Sequence, residues 1–335
     1  MMNRFFAFLL CAAVWVCAAA QTVSNVRAHQ EGKNVVITYT TDFAGVIDAV
    51  YCSTDGGETW GEPLKSVTGD VHKSVPEGDH RIVWNVFADR SSLTGSDIRF
   101  KVITNSAKIK VRGVSFEMVR VEGGTFHMGA TAEQGSAAEA DEKPVHNVTL
   151  HSFYIGKTEV TQELWEAVMD SNPSKFKGPD LPVENVSYEE CQLFVEKLSR
   201  ISGRKFRLPT EAEWEYACRG GEKSRGYRYS GGNNLDAVAW YNANSGRQTH
   251  PVGTKAANEL GICDMSGNVW EWCSDWYGSY GEDWRVAPTG PESGTYRVYR
   301  GGSWSSGSGI CRAAFRGNYS SSYRGDNLGL RLVLY

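Results

Sequence analysis

Beyond Gly220-Gly221 the chain carries no helical period of any length. Gly, Asn, Ser and Trp dominate the stretch that follows to the C-terminus. A structureless segment of this length is foreign to a folded domain, so these residues must pack by some other means. The tryptophans supply it. Trp270, Trp272, Trp276, Trp284 and Trp304 offer large buried area where aliphatic runs are missing. The 36 glycines, about 11% of the chain against a usual ~7%, permit the tight turns that such packing needs. The expectation is a loop-rich domain pinned by aromatic plates.

Upstream the pattern differs. Val35 to Thr40 is β-branched and aromatic, and Val46 to Ser53 is a second such run. Ile82, Trp84 and Val86 alternate, as do Ile98, Phe100 and Val102. Short strands at this spacing read as an all-β sandwich over residues 21–106, with Trp84 as its core aromatic. Residues 107–113 read as a connector. Three helices then follow, each announced by a cap. Thr161 precedes Gln162 to Met169, and Ser187 and Thr210 open capping boxes with Glu190 and Glu213.

The N-terminus sets the compartment. Arg4, an apolar run and Ala18-Ala19-Ala20 read as a secretory signal peptide over residues 1–20, with Gln21 the first mature residue. The protein is expected to be exported, to a periplasm, the cell surface or the medium, with no transmembrane anchor. A net charge of −4 offers no footprint for nucleic acid. An exported chain permits disulfides among Cys52, Cys191, Cys218, Cys263, Cys273 and Cys311, but spacing alone does not choose the pairs. His146 and His151, five apart, fall on opposite faces of an extended segment and make poor co-ligands. Glu139, Asp141 and Glu142 read as a solvated acidic loop.

Several motifs are specific. In order they are Gly123-Gly124-Thr125-Phe126-His127-Met128-Gly129, Lys157-Thr158-Glu159-Val160-Thr161, Pro182-Val183-Glu184-Asn185-Val186-Ser187 and Arg207-Leu208-Pro209-Thr210-Glu211-Ala212-Glu213-Trp214. Gly267-Asn268-Val269-Trp270-Glu271-Trp272, Arg300-Gly301-Gly302-Ser303-Trp304 and Asn327-Leu328-Gly329-Leu330-Arg331 complete the set. Together they resemble the formylglycine-generating enzyme, or sulfatase-modifying factor, family over residues 114–335. The resemblance implies a C-type-lectin-like domain and, with the preceding sandwich, an α+β chain.

The family's enzymes oxidise a sulfatase cysteine with copper and oxygen, holding the metal on two cysteines spaced C-x4-C after the Gly-Gly-Ser. Soft thiolates suit Cu(I). Here only Cys311 follows Ser303, and the partner positions are Ser306 and Arg316. Copper is therefore not expected. Ser303, Trp270, Ser306 and Cys311 remain as substrate-cleft candidates. The resemblance also implies calcium on Asp264, Gly267, Val269 and Glu271, with a weaker site at Asn244 and Ser245; hard oxygen donors fit that ion. It implies a Cys218–Cys311 disulfide, and Cys191 and Cys263 are left to pair with each other. Cys52 and Cys273 are expected free and buried.

The expected function is ligand or protein binding at the cell envelope, for a protein or carbohydrate. The Ser, Gly, Asn and Tyr of residues 304–309 and 316–327 resemble the variable binding surface of diversity-generating retroelement targets. The alternatives are a copper-dependent formylglycine-generating oxidase and a structural subunit of an export or gliding apparatus.

Overall fold

A computed structural model describes residues 23–334. The signal-peptide reading lies outside these residues. The chain divides into two units after Lys108.

In the first unit, strands Val23–Glu31, Asn34–Thr41, Gly78–Asn85 and Val67–Gly69 form an antiparallel sheet in that order. Strand Ala44–Ser53 pairs with Ser74–Val75 on one side and Arg99–Val111 on the other. Val35, Ile37, Ile47, Val50, Ile82 and Trp84 form the buried core. Trp84 is fully buried, and its indole N–H donates to Asp89 at 2.9 Å, so the ring's polar edge is satisfied. Residues 107–111, read as a connector, are the last part of strand Arg99–Val111.

The second unit is mixed α and β. One set of strands orders Val114–Val121, Phe153–Gly156, Val333–Leu334 and Phe206–Arg207. A second orders Gly124–Met128, His146–Leu150 and Arg285–Val286. A third orders Arg316–Tyr319, Arg297–Arg300, Trp270–Trp276 and Leu328–Leu330.

The helices begin where the caps put them. Thr161 accepts the Leu164 amide at the start of Gln162–Met169. Full capping boxes, Ser187 with Glu190 and Thr210 with Glu213, open Tyr188–Ser202 and Glu211–Cys218. Gly203 in the left-handed region ends Tyr188–Ser202. Trp165 stacks on Phe194 at 4.8 Å, locking the first two helices together.

Every residue of Glu211–Cys218 is buried, its three glutamates included. Buried carboxylates need cations. Glu211 is paired by Arg316 and Glu215 by Arg300, and Glu142 by Arg312. Glu142, read as part of a solvated loop, is thus fully buried in an ion pair. Trp284 also departs from expectation. It is 66% exposed and contributes an indole N–H bond to Thr149 rather than core area.

The implied disulfides are absent. All six cysteines among the described residues are free, buried thiols. Cys218 belongs to the main core and its thiol faces the Met265 carbonyl at 3.7 Å. Cys311 packs in a separate cluster with Tyr229, Leu235 and Val238. Cys191 is enclosed in helix Tyr188–Ser202, whereas Cys263 sits in the loop before Asp264, its amide bonded to the Lys157 carbonyl. Each thiol is satisfied by apolar packing, as buried free cysteines commonly are.

Candidate functional site

The cleft candidates lie in the turn after strand Arg297–Arg300. Gly301 and Gly302 both have positive φ. A side chain on Gly302 would meet the Cys311 sulfur at 2.7 Å, so the pair is required for the chain to turn here. The turn buries Ser303 completely. Its amide donates to the Ser306 hydroxyl at 3.0 Å, and its own hydroxyl lies 3.1 Å from those of Ser305 and Ser306. The Asn327 amide group donates to Ser305 at 3.2 Å. Ser303, Ser305, Ser306 and Asn327 therefore form one hydroxyl–amide cluster, of which Ser305 is exposed.

Cys311 is buried behind this cluster, and burial pushes its thiol up to about 12. Ser306 is held by Ser303, and Arg316 is spent on Glu211 through two donors at 2.8 and 2.6 Å. A lone protonated thiol, with a hydroxyl at position 306 and a neutralised guanidinium at 316, does not fit copper(I), which needs paired thiolates. Trp270 is brought near the same region but is a core residue, edge-on to Tyr299 at 4.7 Å.

The outer face is better suited to contact. Trp304 is half-buried, its indole N–H donating to the Asp326 carbonyl at 2.9 Å and its ring edge-on to Phe176 at 5.5 Å. Tyr323 stacks on Tyr319 at 3.8 Å, and Tyr319 on Tyr299 at 5.1 Å. The loop that carries them is pinned. Tyr188 donates its amide to the Ser321 carbonyl, and Asn185 to that of Gly325. Exposed hydroxyls of Ser320 and Ser322 complete a polar, aromatic and preorganised face.

The calcium expectation is not supported. Among the described residues no group of three or more His, Cys, Asp or Glu side chains is arranged to hold a metal ion. Glu271 accepts from Arg331 at 2.7 and 2.9 Å and from the Trp214 indole at 2.7 Å, so its lone pairs are taken. Asp264 accepts the Gly253 amide at 2.6 Å. The Val269 amide donates to Glu159, and Gly267 turns at positive φ against the Trp240 backbone. Arg331 supplies the positive charge that a divalent ion would otherwise bring. Asn244 closes its own turn, accepting from the Tyr241 amide and donating to the Ala239 carbonyl. Ser245 donates to the Trp304 carbonyl at 2.8 Å, so the weaker site is a brace for the Trp304 turn.

Glu159 was missed by sequence reasoning. It lies beside Asp264 and Glu271, and burial with those two carboxylates pushes it well above the usual range. The signal available was a glutamate inside the Lys157 to Thr161 motif, between residues that pack.

A family model described as "Sulfatase-modifying factor enzyme 1-like domain" matches residues 105–335. Chaperone protein LppX of Paenibacillus barcinonensis is 38% identical over 270 residues, covering 66% of this chain and 90% of LppX. Formylglycine-generating enzyme of Streptomyces coelicolor is 31% identical over 283 residues, covering 64% of this chain and 87% of that protein. Among solved structures, Treponema denticola variable protein 1 superposes with a TM-score of 0.63 at 34% identity, covering 68% of this chain and 98% of its own.

Proposed function

The chain belongs to the sulfatase-modifying factor enzyme 1-like family, and from that premise we propose that it is an exported binding protein rather than an oxidase. Its ligand face is the surface built by Trp304, Ser305, Tyr319, Tyr323, Asp326 and Asn327. The observation that carries this reading is the replacement of the thiolate pair by a buried hydroxyl cluster behind a pinned aromatic face. Fold alone assigns no activity, and copper chemistry has no second thiolate here. Tyr, Ser and Asn on a rigid scaffold make adaptable contacts at low entropic cost. The likeness to a protein named for its variability and to one named a chaperone supports binding as the role. Export rests on the sequence of residues 1–20.

The test has two arms. Mature protein loaded with copper is incubated with oxygen and a sulfatase-motif peptide; no aldehyde is expected, and its formation would refute the reading. On a glycan and peptide array, wild type is compared with Trp304→Ala and Tyr323→Ala. Specific spots that both variants lose are expected; spots that both retain, or none at all, would move the binding face elsewhere. N-terminal sequencing of secreted material should begin at Gln21.

A further inference from the structure

A second site lies on another part of the lectin-like unit. A cavity of about 260 Å³ opens between helix Glu211–Cys218, the segment after Trp276 and residues 288–291. Asp275 stands in its wall and is only 4% exposed. One carboxylate oxygen accepts the Glu211 amide and the Ser274 hydroxyl, both at 3.0 Å. The other, Oδ1, has no hydrogen-bond partner and points toward Gly290 in the cavity wall, where an added side chain would come within 3.2 Å of it. His146 lines the same space, 7% exposed. Its Nδ1 donates to the Pro144 carbonyl at 3.1 Å, which leaves Nε2 as a free acceptor.

The charges nearby do not answer Asp275. Arg316 is committed to Glu211 and to the Asp141 and Gly278 carbonyls. Arg300 is committed to Glu215 and the Ala314 and Phe315 carbonyls. Arg219 joins Glu215 to Glu133, and Arg207 holds Glu213. Arg285, at the mouth, is exposed and 3.9 Å from Asp283. Arg297 donates to the Ser274 carbonyl and lies over the Trp276 ring, so among the described residues no cation forms an ion pair with the buried Asp275 carboxyl. Burial and Glu211 raise the Asp275 carboxyl for want of a cation, so a cation entering the cavity favours its ionised form, with the His146 imidazole lining the same space.

We propose that this cavity binds a primary ammonium group, with Asp275 as its counter-ion and His146 Nε2 as a second acceptor. The space suits a short aliphatic amine or the end of a lysine side chain. The proposal is independent of the Trp304 face, because the two share no residue.

The experiment is thermal shift and calorimetry on the mature protein at pH 8, where Asp275 is ionised and an alkylamine is still an ammonium. The probes are n-butylammonium, a short acetylated peptide with one central lysine, and n-butanoate as the control of opposite charge. Saturable binding of an ammonium probe and none of butanoate is expected. Butylammonium binding without the peptide assigns a free amine; peptide binding assigns a lysine side chain. Asp275→Asn keeps the acceptor for the Glu211 amide and should weaken binding on the order of tenfold or more. Arg285→Ala removes a like charge at an exposed position and should tighten it. Failure of both cationic probes to bind overturns the proposal. So does undiminished affinity in a folded Asp275→Asn protein. If that variant does not fold, Arg285→Ala decides alone, and unchanged or weaker affinity there refutes the site.

Discussion

Replacing Arg331 with methionine tests the reading that a guanidinium, and not a metal ion, balances the carboxylates beneath the Trp270 strand. Arg331 is fully buried. It donates to both oxygens of Glu271 and to the Gly156 and Cys263 carbonyls, each at 2.8 Å. Methionine fills similar volume but leaves Glu271 charged and unpaired, with Glu159 and Asp264 beside it. Breaking a buried pair in this way costs about 3–5 kcal/mol. Total stabilities lie in a range of about 5–15 kcal/mol, so the loss should bring the unit close to unfolding at room temperature. Adding Glu271→Gln removes the orphaned charge and should recover part of the loss. The two changes are in contact, so the cycle should show a coupling of roughly 1–3 kcal/mol. Urea denaturation followed by tryptophan fluorescence measures each term, with unchanged m-values as the control. A loss below about 1 kcal/mol for Arg331→Met would show that the pair is not the balancing charge. Additive single effects would point the same way. Recovery of the variant by millimolar calcium would show instead that the carboxylates bind that ion.

Other outcomes follow from neighbouring features. Asp275 is pushed up to about 7 by burial and by Glu211, against 3.8 when free. The native state therefore holds a proton that the unfolded chain has released between these values, so stability falls as pH rises from about 4 to 7. Asp275→Asn should flatten that fall by roughly 3 kcal/mol between pH 5 and pH 8, seen in denaturation at the two values; identical slopes would refute it. Gly267 sits at φ +88°, and a β-carbon there would lie 2.2 Å from the Trp240 carbonyl oxygen. Gly267→Ala should therefore cost at least about 1–3 kcal/mol in urea melts. All six cysteines of the described residues should alkylate in denaturant without reductant; a mass showing a Cys218–Cys311 disulfide would contradict their packing in separate clusters. Ser187→Ala removes the acceptor for the Glu190 amide and should cost about 1 kcal/mol.

The local features were legible because their physics is local. Thr161, Ser187 and Thr210 cap helices through atoms three residues away, and Trp84 is buried by the period of its own strand. The motif order announced the second unit and its fold. The buried ion pairs were not legible. Glu142 read as a solvated acid, Glu271 as a calcium ligand and Glu211 only as part of its motif, and their arginines lie 170, 60 and 105 residues further along. A helix with glutamates at positions 211, 213 and 215 alternates around the axis, and that lack of a polar face was the one hint of burial.

Trp284 and the cysteines mark the same boundary from the other side. Composition ranks both residue types as buried, yet Trp284 lies just before the edge strand Arg285–Val286 and is largely exposed. Cys218 and Cys311 are buried but packed in different clusters. The sequence by itself determined the two-part α+β plan, the helix starts and the loss of the thiolate pair, because spacing and residue type decide those. Only the tertiary structure decided that Arg331 neutralises Glu271, that Ser303 is sealed under Ser305 and Asn327, and that Asp275 faces a cavity with no cation. Charge pairing and solvent access depend on which distant segments meet, and no local pattern encodes that meeting.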